Sequence, residues 1–177
     1  MSSNTKNFLI VLAFIIVLIL IGIGVYYFSV INVEKEPLNG DTFTKKMQEI
    51  GYTIKDINDI SDDNDTQEEN TENLDYDSYY NSYLVATSPD LKITITFVDY
   101  KDEYDAKYAF ESDLINHKLD ENSKVTKSRV DGKNYSKVEY KTEFGKEAYS
   151  RVKNTYIRVT DYDGNSNIQK ILKNIGY

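Results

Sequence analysis

The 177-residue sequence predicts an α+β protein: an N-terminal transmembrane helix, then one domain with a mainly antiparallel sheet of about seven strands covered by three helices. Three observations predict it. Residues 8–33, FLIVLAFIIVLILIGIGVYYFSVINV, hold no charged side chain. Beyond residue 40, short alternating or β-branched runs recur between turn signals. Among them stand three segments with apolar residues at helical spacing.

The first helix is the anchor. Phe8 to Val25 contains nothing more polar than Gly22 and Gly24. Those residues make roughly 27 Å of helix, close to the ~30 Å hydrocarbon thickness. Tyr26, Tyr27 and Phe28 follow where an aromatic belt meets the headgroups. A lone helix is the form that satisfies its own backbone in lipid. Lys6 and the terminal amine precede the span, and Glu34, Lys35 and Glu36 follow it. The positive-inside rule then places residues 1–7 in the cytoplasm, 8–33 in the membrane and the rest outside. A competing reading is a signal peptide cut after Gly24, with small residues at the required spacing. The mature chain would then begin VYYFSVINV, an exposed apolar end, which favours the uncleaved anchor. No cysteine follows the span, so a lipoprotein anchor is excluded.

Residues 34–40 form a polar linker that reaches at most about 28 Å. Residues 41–177 are enough for one domain with a core that needs no staples. With no cysteines, the domain has neither disulfides, thiol chemistry nor a cysteine zinc site. The net charge of −8 is concentrated: residues 56–91 carry eleven acids and no base. That distribution argues against nucleic acid and anionic lipid surfaces as partners.

The elements follow in order. Asp41 to Ile50 is a helix capped by Asp41 or Thr42, with Phe43, Met47 and Ile50 on one face. Gly51 ends it, placing Tyr52 on Met47 in a Schellman turn. Residues 52–57 read as a strand. Residues 61–77, SDDNDTQEENTENLDYD, are too polar to offset their ordering entropy and are expected to be a mobile solvated loop. Residues 79–87 and 92–100 form a hairpin, with Ile93, Ile95 and Phe97 on one face. Asp102 caps a helix to about Lys118 that buries Ala106, Ala109, Phe110 and Leu114. Strands over 124–130, 134–143, 147–153 and 155–161 form a meander. Its turns are Asp131-Gly132, Phe144-Gly145-Lys146 and Lys153-Asn154. In the second of these strands Tyr135, Lys137, Glu139 and Lys141 mark a solvated face. Asn165 or Ser166 caps a last helix to Ile175. Its ending, Leu172 to Tyr177, repeats the Met47 to Tyr52 pattern. A common cap explains this more simply than duplication.

The candidate chemistry is sparse. Asp62, Asp63, Asp65, Glu68, Glu69 and Glu72 offer oxygen ligands for an extracellular cation. Neither EF-hand frame places glycine at position 6 and glutamate at position 12. His117 is the single histidine, one turn after Asp113. No G-x-S-x-G elbow supplies a nucleophile to this pair. Tyr76, Tyr79, Tyr80 and Tyr83 cluster beside the acidic loop as a candidate interaction surface, with strand packing as the simpler role. No cofactor motif is present.

Several stretches together resemble a known group. They are F-x-x-x-M-x-x-x-G-Y (Phe43 to Tyr52), the Ala106 to Phe110 helix segment, Asn134-Tyr135-Ser136 and the terminal Ile-Gly-Tyr. With the head and span, they resemble small uncharacterised single-span proteins of low-GC Gram-positive bacteria, anchored in the membrane with an extracytoplasmic domain. The resemblance implies a bacterial plasma membrane and an exported α+β domain at the cell envelope, and no activity. The expected function is a non-enzymatic binding, sensing or structural module contacting the bilayer and an envelope protein or ligand. The alternatives are an envelope hydrolase using carboxylates and a weak cation-responsive module working through the acidic loop.

Overall fold

The computed structural model describes residues 3–57, 79–116, 126–142 and 145–177. Helix α1 (Ser3–Tyr26) runs into a π-helical turn over Tyr27–Ile31. Over Asn7–Ile31 it is long and apolar enough to cross a membrane, and none of its most apolar stretch is buried in the domain. Then come α2 (Gly40–Glu49), β1 (Thr53–Asp56), β2 (Tyr80–Thr87), β3 (Ile93–Tyr100) and α3 (Glu103–Asn116). The second half holds β4 (Thr126–Asp131), β5 (Tyr135–Thr142), β6 (Gly145–Val152), β7 (Thr155–Asp161) and α4 (Ile168–Ile175).

The seven strands form one antiparallel sheet in the order β1-β2-β3-β7-β6-β5-β4. The first three strands build outward from one edge. Helix α3 then carries the chain to the far edge, and a meander returns until β7 pairs with β3. This order makes β3 and β7 central, where their apolar residues are covered on both faces. Helices α2 and α4 lie on one face, where Phe43, Met47, Leu172 and Ile175 meet Ile95, Phe97, Ile157 and Val159. The Phe43 and Phe97 rings stack with centroids 4.5 Å apart. Helix α3 covers the other face, where Phe110 joins Val98, Val138, Tyr149 and Tyr156. Burying each of these large side chains stabilises the fold by about 1.5–3 kcal/mol.

The caps follow hydrogen-bonding chemistry closely, though not always at the expected residue. Asp102 caps α3 as predicted, accepting from the Asp105 N–H at 2.9 Å. Helix α2 is capped by Asn39, not Asp41 or Thr42: its Oδ1 accepts from the Thr42 N–H at 2.9 Å. A side chain at Gly40 would lie 2.6 Å from the Ser82 hydroxyl, so the first turn of α2 packs closely on β2. Helix α4 is likewise capped by Asn167, accepting from Lys170, not by Asn165 or Ser166. Both glycine endings are Schellman turns. Tyr52 N–H reaches Met47 O at 3.0 Å and Tyr177 N–H reaches Leu172 O at 2.7 Å. The two helices share a layer but differ in connection, since α2 leads into β1 and α4 follows β7.

Two further expectations change. Gly145 and Lys146 are not a turn: they begin β6, opposite Thr142 and Lys141. Gly145 has φ +148°, and a Cβ there would lie 2.3 Å from the Asp161 carbonyl oxygen, so only glycine fits. The solvated face expected on β5 lies in the α2/α4 layer. Tyr135 is buried there, and Lys137 bonds to Gln169 of α4 while pairing with Glu139 at 3.1 Å.

The linker is bound to the domain. Asn134 clamps the Lys35 backbone from both sides, accepting from its N–H at 2.9 Å and donating to its carbonyl at 2.8 Å. Tyr135 donates to the Val30 carbonyl at 3.0 Å. The Lys35 ammonium lies 4.7 Å from the Tyr135 ring centre. Burial lowers the pKa of that ammonium. Glu34 pairs with Lys133, an exposed contact of small energy. The buried Tyr177 hydroxyl meets both Thr155 and the Leu38 backbone. Residues 30–40 are therefore a strap across one end of the sheet.

Candidate functional site

The strap roofs a pocket of about 370 Å³ lined by Pro37, Leu38, Asn39, Thr42, Asp99 and Asn154. Its chemistry centres on Asp99. Alternation along β3 turns Ile93, Ile95 and Phe97 into the α2/α4 layer, and Asp99 continues that phase. Its carboxylate is thereby carried inward, and the residue is 8 % exposed.

Two amides hold it. Asn81 sits where the β2–β3 register shifts between Tyr80 and Ser82, a bulge that leaves it unpaired and free to swing over Asp99. It donates to Oδ1 at 3.3 Å. Asn154 comes from the two-residue β6–β7 turn, which Lys153 closes in the left-handed region at φ +48°. Its Nδ2 donates to Asp99 Oδ1 at 2.8 Å and to the Tyr100 carbonyl at 2.9 Å. Both amides thus serve Oδ1, and no hydrogen bond from the described residues reaches Oδ2. Burial raises the Asp99 pKa, and the Asn81 amide opposes this in part; no cation contributes.

The shift has a measurable consequence. A carboxyl whose folded-state pKa is raised adds stability below its unfolded value of about 3.9. That stability is lost as pH rises through the folded-state value. Tyr177, the other titratable group sensing this charge, has its pKa raised by burial and stays protonated throughout. Asp99→Asn keeps an acceptor for both amides. It is expected to abolish this loss and to exceed the native chain in stability at neutral pH. Urea unfolding of the full chain in detergent across that pH range checks it; an unchanged pH slope refutes the assignment.

A second groove of about 370 Å³ lies between β5, β6 and the start of α4, lined among others by Ser128, Glu139, Lys146, Asn165 and Gln169. Each of its two carboxylates faces a cation: Lys137 lies 3.1 Å from Glu139 and Arg158 lies 3.5 Å from Glu147. Lys146 donates to the Ser166 carbonyl at 3.1 Å. Asp99 differs in having no such cation beside it.

The residues singled out from sequence fall elsewhere. Asp62, Asp63, Asp65, Glu68, Glu69, Glu72, Tyr76 and His117 lie outside the described residues. Tyr79 is exposed, while Tyr80 is buried and packs edge-on against Tyr83 in the α3-facing core. Asp113 accepts from the Tyr156 hydroxyl of β7. Burial and that carboxylate raise the Tyr156 pKa, which keeps the phenol a donor and pins α3 to the sheet. Tyr104 and Tyr108 of α3 point to solvent. Among the described residues no group of three His, Cys, Asp or Glu is placed to hold a metal ion. No protein-family model, curated protein or solved structure matches the chain.

Proposed function

We propose that this is a single-pass plasma-membrane protein with a cytoplasmic N-terminus and an extracytoplasmic α+β domain. In this reading the domain is a non-enzymatic binding or sensing module of a bacterial cell envelope. The observation that carries the binding role is the Asp99 pocket, whose roof is the segment joining domain to anchor. A group entering the pocket touches the strap, so occupancy is felt at Val30, where the apolar helix ends. A buried carboxylate lacking a cationic partner is held at a cost in stability, a mark of sites kept for function. The pocket lining offers one carboxylate, whereas hydrolysis by paired carboxylates needs two. The topology rests on Lys6 before the span and on the length of the apolar helix.

The absence of cysteine makes the topology directly testable. Single variants Ser3→Cys and Lys170→Cys are treated on intact cells with a membrane-impermeant maleimide. The expected result is labelling of the exposed position 170 and none at position 3 until the cells are lysed. The reverse pattern overturns the orientation. Loss of residues 1–24 in an intact mass from the membrane fraction overturns the anchor.

A further inference from the structure

We infer that the Asp99 pocket binds a primary ammonium group, the amine of a small soluble ligand or of a lipid headgroup. The inference builds on the binding role proposed above and names its ligand. Asp99 is more than nine-tenths buried, lines the pocket and spends both its hydrogen bonds on Oδ1. Oδ2 receives no hydrogen bond from the described residues and is not sealed from solvent, and the carboxylate has no countercharge. A largely buried carboxylate without a countercharge is costly, and a cation that also donates hydrogen bonds offsets that cost.

The alternatives fit less well. An anion is repelled. Calcium takes about six to eight oxygen ligands, commonly from several carboxylates, and the lining holds one. A guanidinium prefers to meet both oxygens of a carboxylate side by side, but Oδ1 is already occupied by two amides. An ammonium is a compact point charge with three donors and no acceptor. One donor suffices for Oδ2, while the Thr42 hydroxyl and the Asn154 side-chain carbonyl on the same lining are acceptors for the others. Pro37 and Leu38 supply apolar contact for the carbon beside the nitrogen. The cavity volume lies within the ~300–1,000 Å³ range of small-ligand pockets.

Both sources of amine can reach the site. The pocket opens beside the strap, and the strap is tied through Tyr135 to the end of the apolar helix. An aminated headgroup is thereby a candidate source beside a free amine.

The test uses the full chain in lipid nanodiscs at about pH 7.5, above the usual carboxylate range. Thermal midpoints are followed by tyrosine fluorescence, since the chain has no tryptophan. Ethanolamine is titrated into phosphatidylcholine discs, with choline, which has no N–H donor, as the matched control. A parallel arm replaces part of the phosphatidylcholine with phosphatidylethanolamine. The expected result is a rise of several degrees with ethanolamine or with the ethanolamine lipid. Asp99→Asn should weaken the apparent affinity about tenfold or more, the loss of one charge-assisted contact. A rise with soluble amine assigns a free ligand; a rise only with the aminated lipid assigns the headgroup. No rise in either arm overturns the inference. So does an equal rise with choline, or one that survives in Asp99→Asn. The soluble arm does not depend on membrane orientation, so its outcome and that of the cysteine-labelling experiment are independent.

Discussion

Asp161→Ala is expected to lower the stability of the domain by about 3 kcal/mol, through loss of several charge-assisted hydrogen bonds. Asp161 ends β7 and is completely buried. Its Oδ1 accepts from the backbone N–H groups of Asp163 and Gly164, each at 3.1 Å, and its Oδ2 accepts from Ser166 at 2.8 Å. One side chain thus organises the whole connection into α4. That helix inserts Ile168, Leu172 and Ile175 into the larger core, and Tyr177 beyond it bonds to Thr155. Removing the carboxylate leaves the Asp163 and Ser166 amides without their acceptor, leaves Gly164 only its 3.3 Å bond to the Asp161 carbonyl, and loosens the approach of α4. Asp161→Asn retains one acceptor oxygen and presents an amide donor to the groups that faced the other. It is expected to lose about half as much. Urea unfolding of the full chain in detergent gives both values. A loss below about 1 kcal/mol for the alanine variant would show that water replaces the carboxylate readily.

The contrast with Asp99 is instructive. Both residues are buried aspartates in neighbouring strands, on the face covered by α2 and α4. Asp161 has donors at both oxygens, and Asp99 at one. The same substitution to asparagine is therefore expected to act in opposite directions, destabilising at 161 and stabilising at 99. That difference separates a carboxylate that builds the fold from one held for a ligand.

Much of the fold is legible in the residues. Apolar alternation in ITITFVDY assigns the two faces of β3 correctly, because both faces of a central strand are filled by neighbouring elements. The glycine endings at 51 and 176 announce their turns, since a left-handed residue is needed at each. Other features escape for identifiable reasons. At Asn39-Gly40-Asp41-Thr42 several neighbouring residues are competent caps, and local sequence alone does not choose Asn39 among them. On β5, alternation marks Lys137 and Glu139 as polar but does not distinguish solvent from a polar patch beneath a helix. The Asp99 pocket is the hardest to see. Its lining comes from three separate stretches, and Asn81 from a fourth reaches Asp99, all joined by a bulge, a tight turn and the strand order. The strap escapes because its key bonds use the backbone of Lys35, whose N–H and carbonyl every linker residue except Pro37 also carries.

Asn134→Ala should release that strap, with cleavage after Lys35 by trypsin rising about 30- to 150-fold. The clamp consists of two hydrogen bonds between one amide side chain and the backbone of one residue, 99 residues apart in sequence. At roughly 1 to 1.5 kcal/mol each, their loss lowers the cost of local opening by about 2–3 kcal/mol. Cleavage follows the open population when opening and closing are fast, which sets the size of the expected increase. Tyr135→Phe removes only the bond to the Val30 carbonyl and keeps the ring under Lys35, so its effect should be about tenfold or less. Neither change touches the central strands, and global unfolding should shift little. If trypsin cuts the native chain after Lys35 as fast as it cuts Asn134→Ala, the strap is open in solution. In that case the pocket has no fixed roof and occupancy of Asp99 has no route to the anchor. If the variant is cut faster and ethanolamine slows the cutting of the native chain, the amine and the strap share one equilibrium. A ligand that binds only the closed form stabilises it in proportion to occupancy, and that linkage is what would make this pocket a sensor and not a passive receptacle.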